Sequence, residues 1–203
     1  MRYGILADAH GHHKALEKAL HLLNDVDRMI FLGDVPNYRN GDGFVECLEA
    51  LHAEDAQGVQ GNCDEYVVMQ YTRPSELTAQ IWNDYVAWPK EYRDGELLFV
   101  HGGPRDPLNE RIGDEERAWK NFRAHDFKVC FHGHQHRVSC FAYRDDDVTM
   151  IELQDNVPFV LDPSTRYIIG VGSVGMPKDD PKGSMVLYDS LKGEVLVRRF
   201  TRD

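Results

Sequence analysis

The sequence lacks paired cysteines and long apolar runs, and it is short of positive charge. Its four cysteines form no Cys-x-x-Cys pair, which favours buried, reduced thiols and a cytoplasmic protein over a disulfide framework. No window approaches the roughly 18 apolar residues that a membrane span needs. With 23 Lys and Arg against 34 Asp and Glu, the net charge is −11, so we expect neither membrane binding nor a stable nucleic-acid complex. An anionic substrate therefore requires local positive charge, which a bound metal could supply.

Short apolar runs alternate with helical patterns over the first two thirds of the chain. Strands are predicted at 2–7, 28–32, 58–60, 96–100 and 128–131. Helices are predicted around 12–23, 43–52, 72–88 and 114–125, with Thr72 and Ser75 as caps of the third. From about residue 137 the pattern changes to consecutive strands separated by turns. We therefore predict one α/β domain over residues 1–203, with two sheets packed together and helices outside.

Metal-capable side chains follow five of the predicted strands, at the point where each strand ends. They are Asp8, His10, Asp34, Asn62, His101, His134 and His136. In open α/β sheets, ligands bind outside the carboxyl ends of the strands, so we expect these side chains to converge. His, Asp and Asn without thiolate pairs suit Mn, Fe, Zn or a similar ion. Seven ligands exceed one tetrahedral site, whereas two ions that share a carboxylate, about 3.5–4 Å apart, would use them all.

Each of these residues alone has an ordinary structural explanation. Asp8 or Asp34 could cap a helix, His10 could be a solvated loop residue, and His101 could be a core histidine. Their shared position at strand ends is what favours a site. Glycines at positions 33, 61, 102 and 133 adjoin them, and a backbone without Cβ can turn sharply and approach an ion or a substrate.

The motifs resemble those of calcineurin-like metallophosphoesterases along nearly the whole chain. The family pattern is D-x-H, then G-D, then G-N-H/C-D/E, then a lone His, then G-H-x-H. Here these motifs are Asp8-Ala9-His10, Gly33-Asp34, Gly61-Asn62-Cys63-Asp64, His101 and Gly133-His134-Gln135-His136. The stretches HGGP at 101–104 and VGSVGMPKDDPKGSMVLYD at 171–189 are most similar to the small bacterial and archaeal phosphodiesterases. Gly170-Val171 stands where that subgroup usually has Asn-Pro.

The resemblance implies a four-layer αββα sandwich of two mixed sheets and a phosphoesterase with two divalent transition-metal ions. One ion would be held by Asp8, His10, Asp34 and His136, and the other by Asp34, Asn62, His101 and His134. Mn is expected first, with Ni, Co, Zn or Fe as alternatives. The ions would polarise the phosphoryl oxygens and lower the pKa of a bridging water, so that a hydroxide attacks phosphorus in line. The substrate would be a small phosphate ester, and a phosphodiester in the first place.

Further residues are candidates for roles beside the metal ligands. Asp64 is expected to orient its loop from behind the ligands. His12 stands where the family often has Asn, and it is a candidate for donating a proton or binding phosphate; the alternative is a solvated histidine that opens a helix. Arg39 and Arg105 are candidates for phosphate contacts, because a guanidinium matches phosphate geometry. Either could equally be an exposed loop arginine.

Cys63 occupies the place of the histidine that many family members use as a proton donor. A thiol is a poorer acid at that position, and we expect an inert filler. Its presence favours diesters or activated esters with good leaving groups.

Two alternatives stay open at this stage. The first is a phosphomonoesterase or a nucleotide or dinucleoside polyphosphate hydrolase of the same family. The stretch VPNYRNG at 35–41 argues against protein phosphatases and dinucleoside tetraphosphatases, in which Val-Asp-Arg-Gly is common. The second is a non-catalytic metal-binding scaffold, like a retromer subunit with degraded metal positions, whereas the ligand set here is intact. Edge strands would allow a homodimer, which the sequence does not decide.

Overall fold

The computed structural model describes residues 1–37 and 41–202. The helices are α1 (His13–Leu22), α2 (Phe44–Ala53), α3 (Asn62–Gln70), α4 (Ala79–Val86) and α5 (Glu115–Ala124). The strands are β1 (Arg2–Leu6), β2 (Arg28–Phe31), β3 (Gln57–Gly58), β4 (Glu91–Asp94), β5 (Leu97–Val100), β6 (Val129–His132), β7 (Val138–Arg144), β8 (Asp147–Met150), β9 (Phe159–Val160), β10 (Arg166–Val171), β11 (Gly183–Asp189) and β12 (Glu194–Phe200). Strands and helices alternate from β1 to α3, and α4, β4 and β5 then precede α5. Only strands are described after α5, which agrees with the predicted change to consecutive strands in the last third of the chain.

The strands form two six-stranded sheets, each with parallel and antiparallel neighbours. The first sheet has the order β3-β2-β1-β11-β12-β9, and the second has the order β4-β5-β6-β10-β7-β8. In the first, β1 pairs in parallel with β2, with Ile5 opposite Ile30, and antiparallel with β11. In the second, β10 pairs in parallel with β6, with Ile169 opposite Phe131, and antiparallel with β7. The continuously apolar strands therefore occupy the centres of the sheets, as expected of strands covered on both faces.

Three apolar clusters hold the layers together. Successive strand residues point to opposite faces of a sheet, so Ile30 packs between the sheets against residues such as Phe131, while Phe31 packs under the helices. Helices α1, α2 and α4 cover the first sheet with side chains such as Leu16. Helix α5 covers the second sheet with side chains such as Phe122. The layers run helix, sheet, sheet, helix, which confirms the predicted αββα sandwich.

The predicted caps of the third helical pattern are wrong. Helix α4 begins later, and Thr78 is its N-cap, with its hydroxyl oxygen accepting a hydrogen bond from Ile81 N at 3.2 Å. Thr72 and Ser75 lie in the irregular segment before it. Several capping-type residues in one stretch compete for the same role, and packing of the apolar face selects the one that is used.

Helix α3 was not predicted, because its residues show little apolar periodicity. Its start is fixed instead by a side chain of its own first turn, since the Asp64 carboxylate accepts a hydrogen bond from Gly61 N at 2.7 Å. This places Asn62 at the first helical position, a short loop after the end of β3. A motif read as a strand end therefore opens a helix.

The remaining expectations about the chain as a whole concern its cysteines and membranes. All four cysteines are described and buried, and none of them forms a disulfide, as predicted. Within the described ranges, no helix is both long enough and apolar enough to cross a bilayer.

Candidate metal centre

The seven metal-capable residues converge between the carboxyl ends of the two sheets. Those that follow β1, β2 and β3 come from the first sheet, and those that follow β5 and β6 come from the second. The site is therefore built across two sheets rather than along the edge of one. The order of strands in the chain could not show this, because β5 and β6 could also have extended the first sheet.

The enclosed half of the site consists of Asp8, His10 and His136. The Nε2 atoms of the two histidines lie 3.2 Å apart. Asp8 Oδ1 lies 3.6 Å from His10 Nε2 and 3.2 Å from His136 Nε2. His10 Nδ1 lies 3.2 Å from Pro36 O, and His136 Nδ1 lies 2.7 Å from Met176 O. A carbonyl only accepts hydrogen bonds, so in a neutral ring Nδ1 carries the proton and Nε2 presents its lone pair. Two lone pairs and a carboxylate thus face one another.

This arrangement is unfavourable unless a cation lies between the donor atoms. Asp8 Oδ1 is buried and makes no hydrogen bond of normal geometry within the described part of the chain. Burial raises the pKa of Asp8, but the adjacent His10 and His136 rings outweigh it and hold the pKa below its usual range. The same carboxylate raises the pKa of His10, against burial, which lowers it. The three side chains therefore fit a divalent metal ion, which would satisfy all of them at once.

The open half consists of Asp34, Asn62, His101 and His134. Around His101 Nε2 lie Asn62 Oδ1 at 3.2 Å, His134 Nδ1 at 3.1 Å and Asp34 Oδ2 at 3.4 Å. His101 Nδ1 lies 2.7 Å from Leu32 O, so its Nε2 lone pair also points into the cluster. Burial lowers the pKa of His101, but the Asp34 carboxylate outweighs it and the pKa rises to about 9. This half also attracts positive charge.

Asp34 connects the two halves. Its Oδ2 atom lies 3.7 Å from His10 Nε2 and 3.4 Å from His101 Nε2, while its Oδ1 atom accepts a hydrogen bond from Cys63 N at 2.9 Å. Burial raises the pKa of Asp34, yet the charge of His101 keeps it below its usual range. One ionised oxygen atom is therefore within reach of both groups of ligands.

Five of the seven residues have a left-handed backbone, which is rare for residues other than glycine. The φ angles are 58° at Asp8, 47° at His10, 61° at Asp34, 58° at His134 and 57° at His136. Such strain persists only where the surroundings enforce it, and it concentrates at functional sites. Hydrogen bonds between the loops enforce it here, for example from Asp8 N to Gly33 O at 2.9 Å. The loops aim their side chains inward at a cost in conformational energy.

Gly61 is required by close approach of two loops rather than by its own dihedral angles. Its φ is −96°, but a Cβ atom there would lie 2.2 Å from Asp34 Oδ1. Gly33 is required for both reasons: its φ is 82°, and a Cβ atom there would lie 2.4 Å from Gly61 N. These two glycines let the loops after β2 and β3 touch, and this contact places Asn62 beside Asp34.

Asp64 lies directly behind the ligands. Its Oδ2 atom accepts hydrogen bonds from Asp34 N at 2.6 Å and Gly61 N at 2.7 Å. Its Oδ1 atom accepts from Val35 N at 3.1 Å and Tyr85 OH at 3.0 Å. Burial, and then the nearby Asp34 carboxylate, raise the pKa of Asp64 to about 6. These contacts fix the backbone that carries Asp34 and the start of α3.

Cys63 is buried within the site. Its Sγ atom lies 3.2 Å from Asp34 Oδ2, and together with His10 and Asp34 it forms one of the groups of ligand-capable atoms. The thiol is therefore in contact with the carboxylate that joins the halves, and its S–H group is within reach to donate a hydrogen bond to it.

The remaining candidates from the sequence are His12, Arg105 and Arg39. His12 immediately precedes α1, its ring lies beside Gly175, and burial lowers its pKa. The guanidinium of Arg105 is exposed and lies 3.5 Å from Glu110 Oε1. Arg39 lies outside the described residues.

One residue that the sequence did not single out contacts the site. Arg111 Nε lies 3.2 Å from His134 Nε2. Arg111 and Arg105 both lie in the loop between β5 and α5, so their positions in the sequence do not show which of the two contacts the site.

A groove of about 1380 Å³ leads away from the open half along α3. Asn62 and Cys63 line its inner end, and the exposed side chains of Tyr66, Met69 and Tyr71 line it farther out. The carboxylates along its described lining are Asp42, Glu46, Glu65 and Glu76. The groove offers apolar and aromatic surface beside the candidate metal centre.

Comparisons with known proteins agree with this architecture. A sequence model of the calcineurin-like phosphoesterase superfamily domain matches residues 1–193. No curated protein matches the chain. The metallophosphoesterase from Sphaerobacter thermophilus is 30% identical over 98% of this chain and 88% of that one, with a TM-score of 0.84. YfcE, a phosphoesterase from E. coli, is 20% identical over 94% of this chain and 89% of its own, with a TM-score of 0.52.

A novel archaeal phosphodiesterase is 14% identical over 98% of this chain and 100% of its own, with a TM-score of 0.52. At these identities YfcE and the archaeal protein show the shared fold alone.

Proposed function

The chain belongs to the calcineurin-like phosphoesterase superfamily, and on this basis we propose that it hydrolyses phosphodiesters with two divalent metal ions. The observation that carries the proposal is the position of Asp34 Oδ2, 3.7 Å from His10 Nε2 and 3.4 Å from His101 Nε2. Asp34 would be shared by an ion in each half, with the remaining ligands being Asp8, His10 and His136 for one and Asn62, His101 and His134 for the other. Mn is the first candidate metal, before Ni, Co, Zn or Fe.

When bound, the ions supply the charge that polarises the phosphoryl group and activates a water molecule, so no side-chain nucleophile is required. The chain's own residues hold that charge in place. Backbone carbonyls fix the rings of His10, His101 and His136 through Nδ1. Asp64 fixes Asp34 through the backbone, and such outer contacts normally tune metal affinity and ligand orientation.

The group that protonates the leaving oxygen determines which esters can be cleaved. Cys63 lies beside Asp34 and stands where the family resemblance puts a proton-donating histidine, and a thiol is a weaker acid than an imidazolium. This supports phosphodiesters with good leaving groups as substrates, ahead of phosphomonoesters. His12 is the candidate that could supply the missing proton, although it precedes α1 outside the ligand groups.

The groove beside the open half supports a substrate with an organic group of some size. A small phosphate ester could place its phosphate at the metal centre and its organic part against Tyr66 and Tyr71. Four buried cysteines, none of which forms a disulfide, suit a reducing compartment, so we also propose that the protein works in the cytoplasm.

The test is a metal titration coupled to hydrolysis of an aryl phosphodiester, followed by a panel of nucleotides, cyclic nucleotides, phosphomonoesters and phosphodiesters with Mn, Ni, Co and Zn. We expect activity to require metal and Asp34→Asn to lower kcat/KM by more than about 1000-fold. Asp147→Asn, on exposed strand β8, is the matched control and should behave as wild type. Metal-loaded protein that is inert on every ester, with no effect of Asp34→Asn on metal binding, would overturn the proposal.

A further inference from the structure

We propose that Arg111 binds a non-bridging oxygen of the substrate's phosphate group, an inference that rests on the proposed function. Arg111 is exposed in the loop between β5 and α5. Its Nε atom lies 3.2 Å from Nε2 of His134, which is a ligand of the open half. The guanidinium is therefore next to the place where a phosphate would meet the metal centre.

The backbone around Arg111 is fixed on both sides. Ile112 is fully buried in the apolar cluster beneath α5, and Glu110 N donates a hydrogen bond to Asp106 O at 3.3 Å. A Cβ atom on Gly113 would lie 2.6 Å from the Gln135 side chain, so this segment packs against the turn that carries His134. The arginine is thus presented by a rigid segment, as a binding residue should be.

Arg111 forms no ion pair with any residue that the structure describes. Arg105 in the same loop lies 3.5 Å from Glu110, whereas the structure shows no carboxylate partner for Arg111 among residues 1–37 and 41–202. In a protein of net charge −11, a cation 3.2 Å from a residue of the ligand cluster supplies the local attraction that an anionic substrate needs.

The contact between Arg111 and His134 is incompatible with metal binding at His134 Nδ1. That atom faces His101 Nε2 at 3.1 Å and is the ligand atom of the ring. A neutral imidazole that binds a metal through Nδ1 keeps its proton on Nε2, and a guanidinium is a donor only. Two donors would then face each other, so Arg111 must find another acceptor close by. Phosphate oxygens are the acceptors that a guanidinium fits best, often with two parallel hydrogen bonds.

The test measures the affinity of the Mn-loaded protein for inorganic phosphate by isothermal titration calorimetry. We expect Arg111→Gln to weaken phosphate binding about 10- to 100-fold, through loss of a charge-assisted hydrogen bond, with Mn content unchanged by elemental analysis. Arg111→Lys should recover part of the affinity, because it keeps the charge and loses the planar fork. Arg117→Gln is the matched control, since that exposed guanidinium already lies 3.5 Å from Asp114, and it should bind phosphate like wild type.

Three results would overturn the role of Arg111 while the proposed function stands. The Arg111→Gln variant could bind phosphate at wild-type affinity, or it could lose Mn, which would make Arg111 a positioning residue for His134. Arg105→Gln could instead show the whole loss, which would move the role to Arg105. Wild-type protein that binds Mn but neither binds phosphate nor hydrolyses any ester would refute the proposed function and the role of Arg111 together.

Discussion

The two halves of the candidate metal centre contain similar side chains but hold them differently. In the enclosed half, both histidines are anchored to backbone carbonyls and no ligand side chain is more than 2% exposed. In the open half, the second ring nitrogen of His134 contacts the exposed side chain of Arg111, and the partly exposed Asn62 borders the groove. A ligand fixed by the backbone loses little freedom when it binds an ion. We therefore expect the enclosed half to bind its ion more tightly, and the open half to adjust to the substrate.

Removing the carboxylate that both halves share should have the largest effect. At 100 times its Kd, each ion should stabilise the wild-type protein by about 2.7 kcal/mol, which corresponds to about 5–10 °C in Tm for a chain of this length. Asp34→Asn should abolish most of this shift. Thermal unfolding with Mn and with a chelator measures it, and an undiminished shift in the variant would separate Asp34 from metal binding.

The same substitution in each half tests the difference between them. His136→Ala should cost more than about 100-fold in activity that added Mn does not restore, because its ligand atom belongs to a rigid set. His134→Ala should lose about 10- to 100-fold at limiting Mn and regain part of it in excess. Activity as a function of Mn concentration distinguishes the two. Identical metal dependence would show that the halves are equivalent.

Asp64 supports the connection between the halves, and its replacement should reduce both stability and metal affinity. Asp64→Asn places an amide donor among three backbone N–H donors, so we expect the free energy of unfolding to fall by about 2–3 kcal/mol and metal affinity by about 10- to 100-fold. Denaturant unfolding and metal titration measure these changes. Tyr85→Phe removes one hydrogen bond to Asp64 and should lower the free energy of unfolding by only about 1 kcal/mol. A loss as large as that of Asp64→Asn would show that the Tyr85 hydroxyl, rather than the backbone contacts of Asp64, stabilises this region.

His12 lies outside both halves, and its effect should depend on the leaving group. If it donates a proton, His12→Asn should lower the hydrolysis of alkyl phosphodiesters at least about 10-fold more than that of aryl phosphodiesters. Parallel assays on the two classes of ester decide the matter. Equal losses on both would exclude proton donation by His12.

Cys63 should give the smallest effect although it touches the shared carboxylate. A serine hydroxyl can also donate a hydrogen bond to Asp34 Oδ2, so we expect Cys63→Ser to change kcat/KM by less than about 3-fold. Cys63→His should extend activity toward esters with poorer leaving groups. A large loss in the serine variant, at unchanged metal content, would assign the thiol a function of its own.

The sequence predicted the elements with clear periodicity and missed those defined by other contacts. The apolar stripe of α1 and the ends of the apolar strands could be read locally, because burial imposes a period on the residues. The sequence did not predict helix α3, because the Asp64 carboxylate fixes its start and its residues show little apolar periodicity. Thr72, Ser75 and Thr78 all have capping side chains, and only the packing of α4 distinguishes them.

By itself, the sequence determined the αββα fold class and the identity of the ligand candidates, because strand patterns and the residues that end strands are local features. Only the tertiary structure decided that the ligand candidates come from two sheets, that Asp34 Oδ2 faces histidines of both halves, and that Arg111 rather than Arg105 contacts His134. His10 and His136 are 126 positions apart in the chain and 3.2 Å apart in space. The physical reason is that contacts of this kind depend on how sheets and loops pack, and no local period of the sequence encodes that packing.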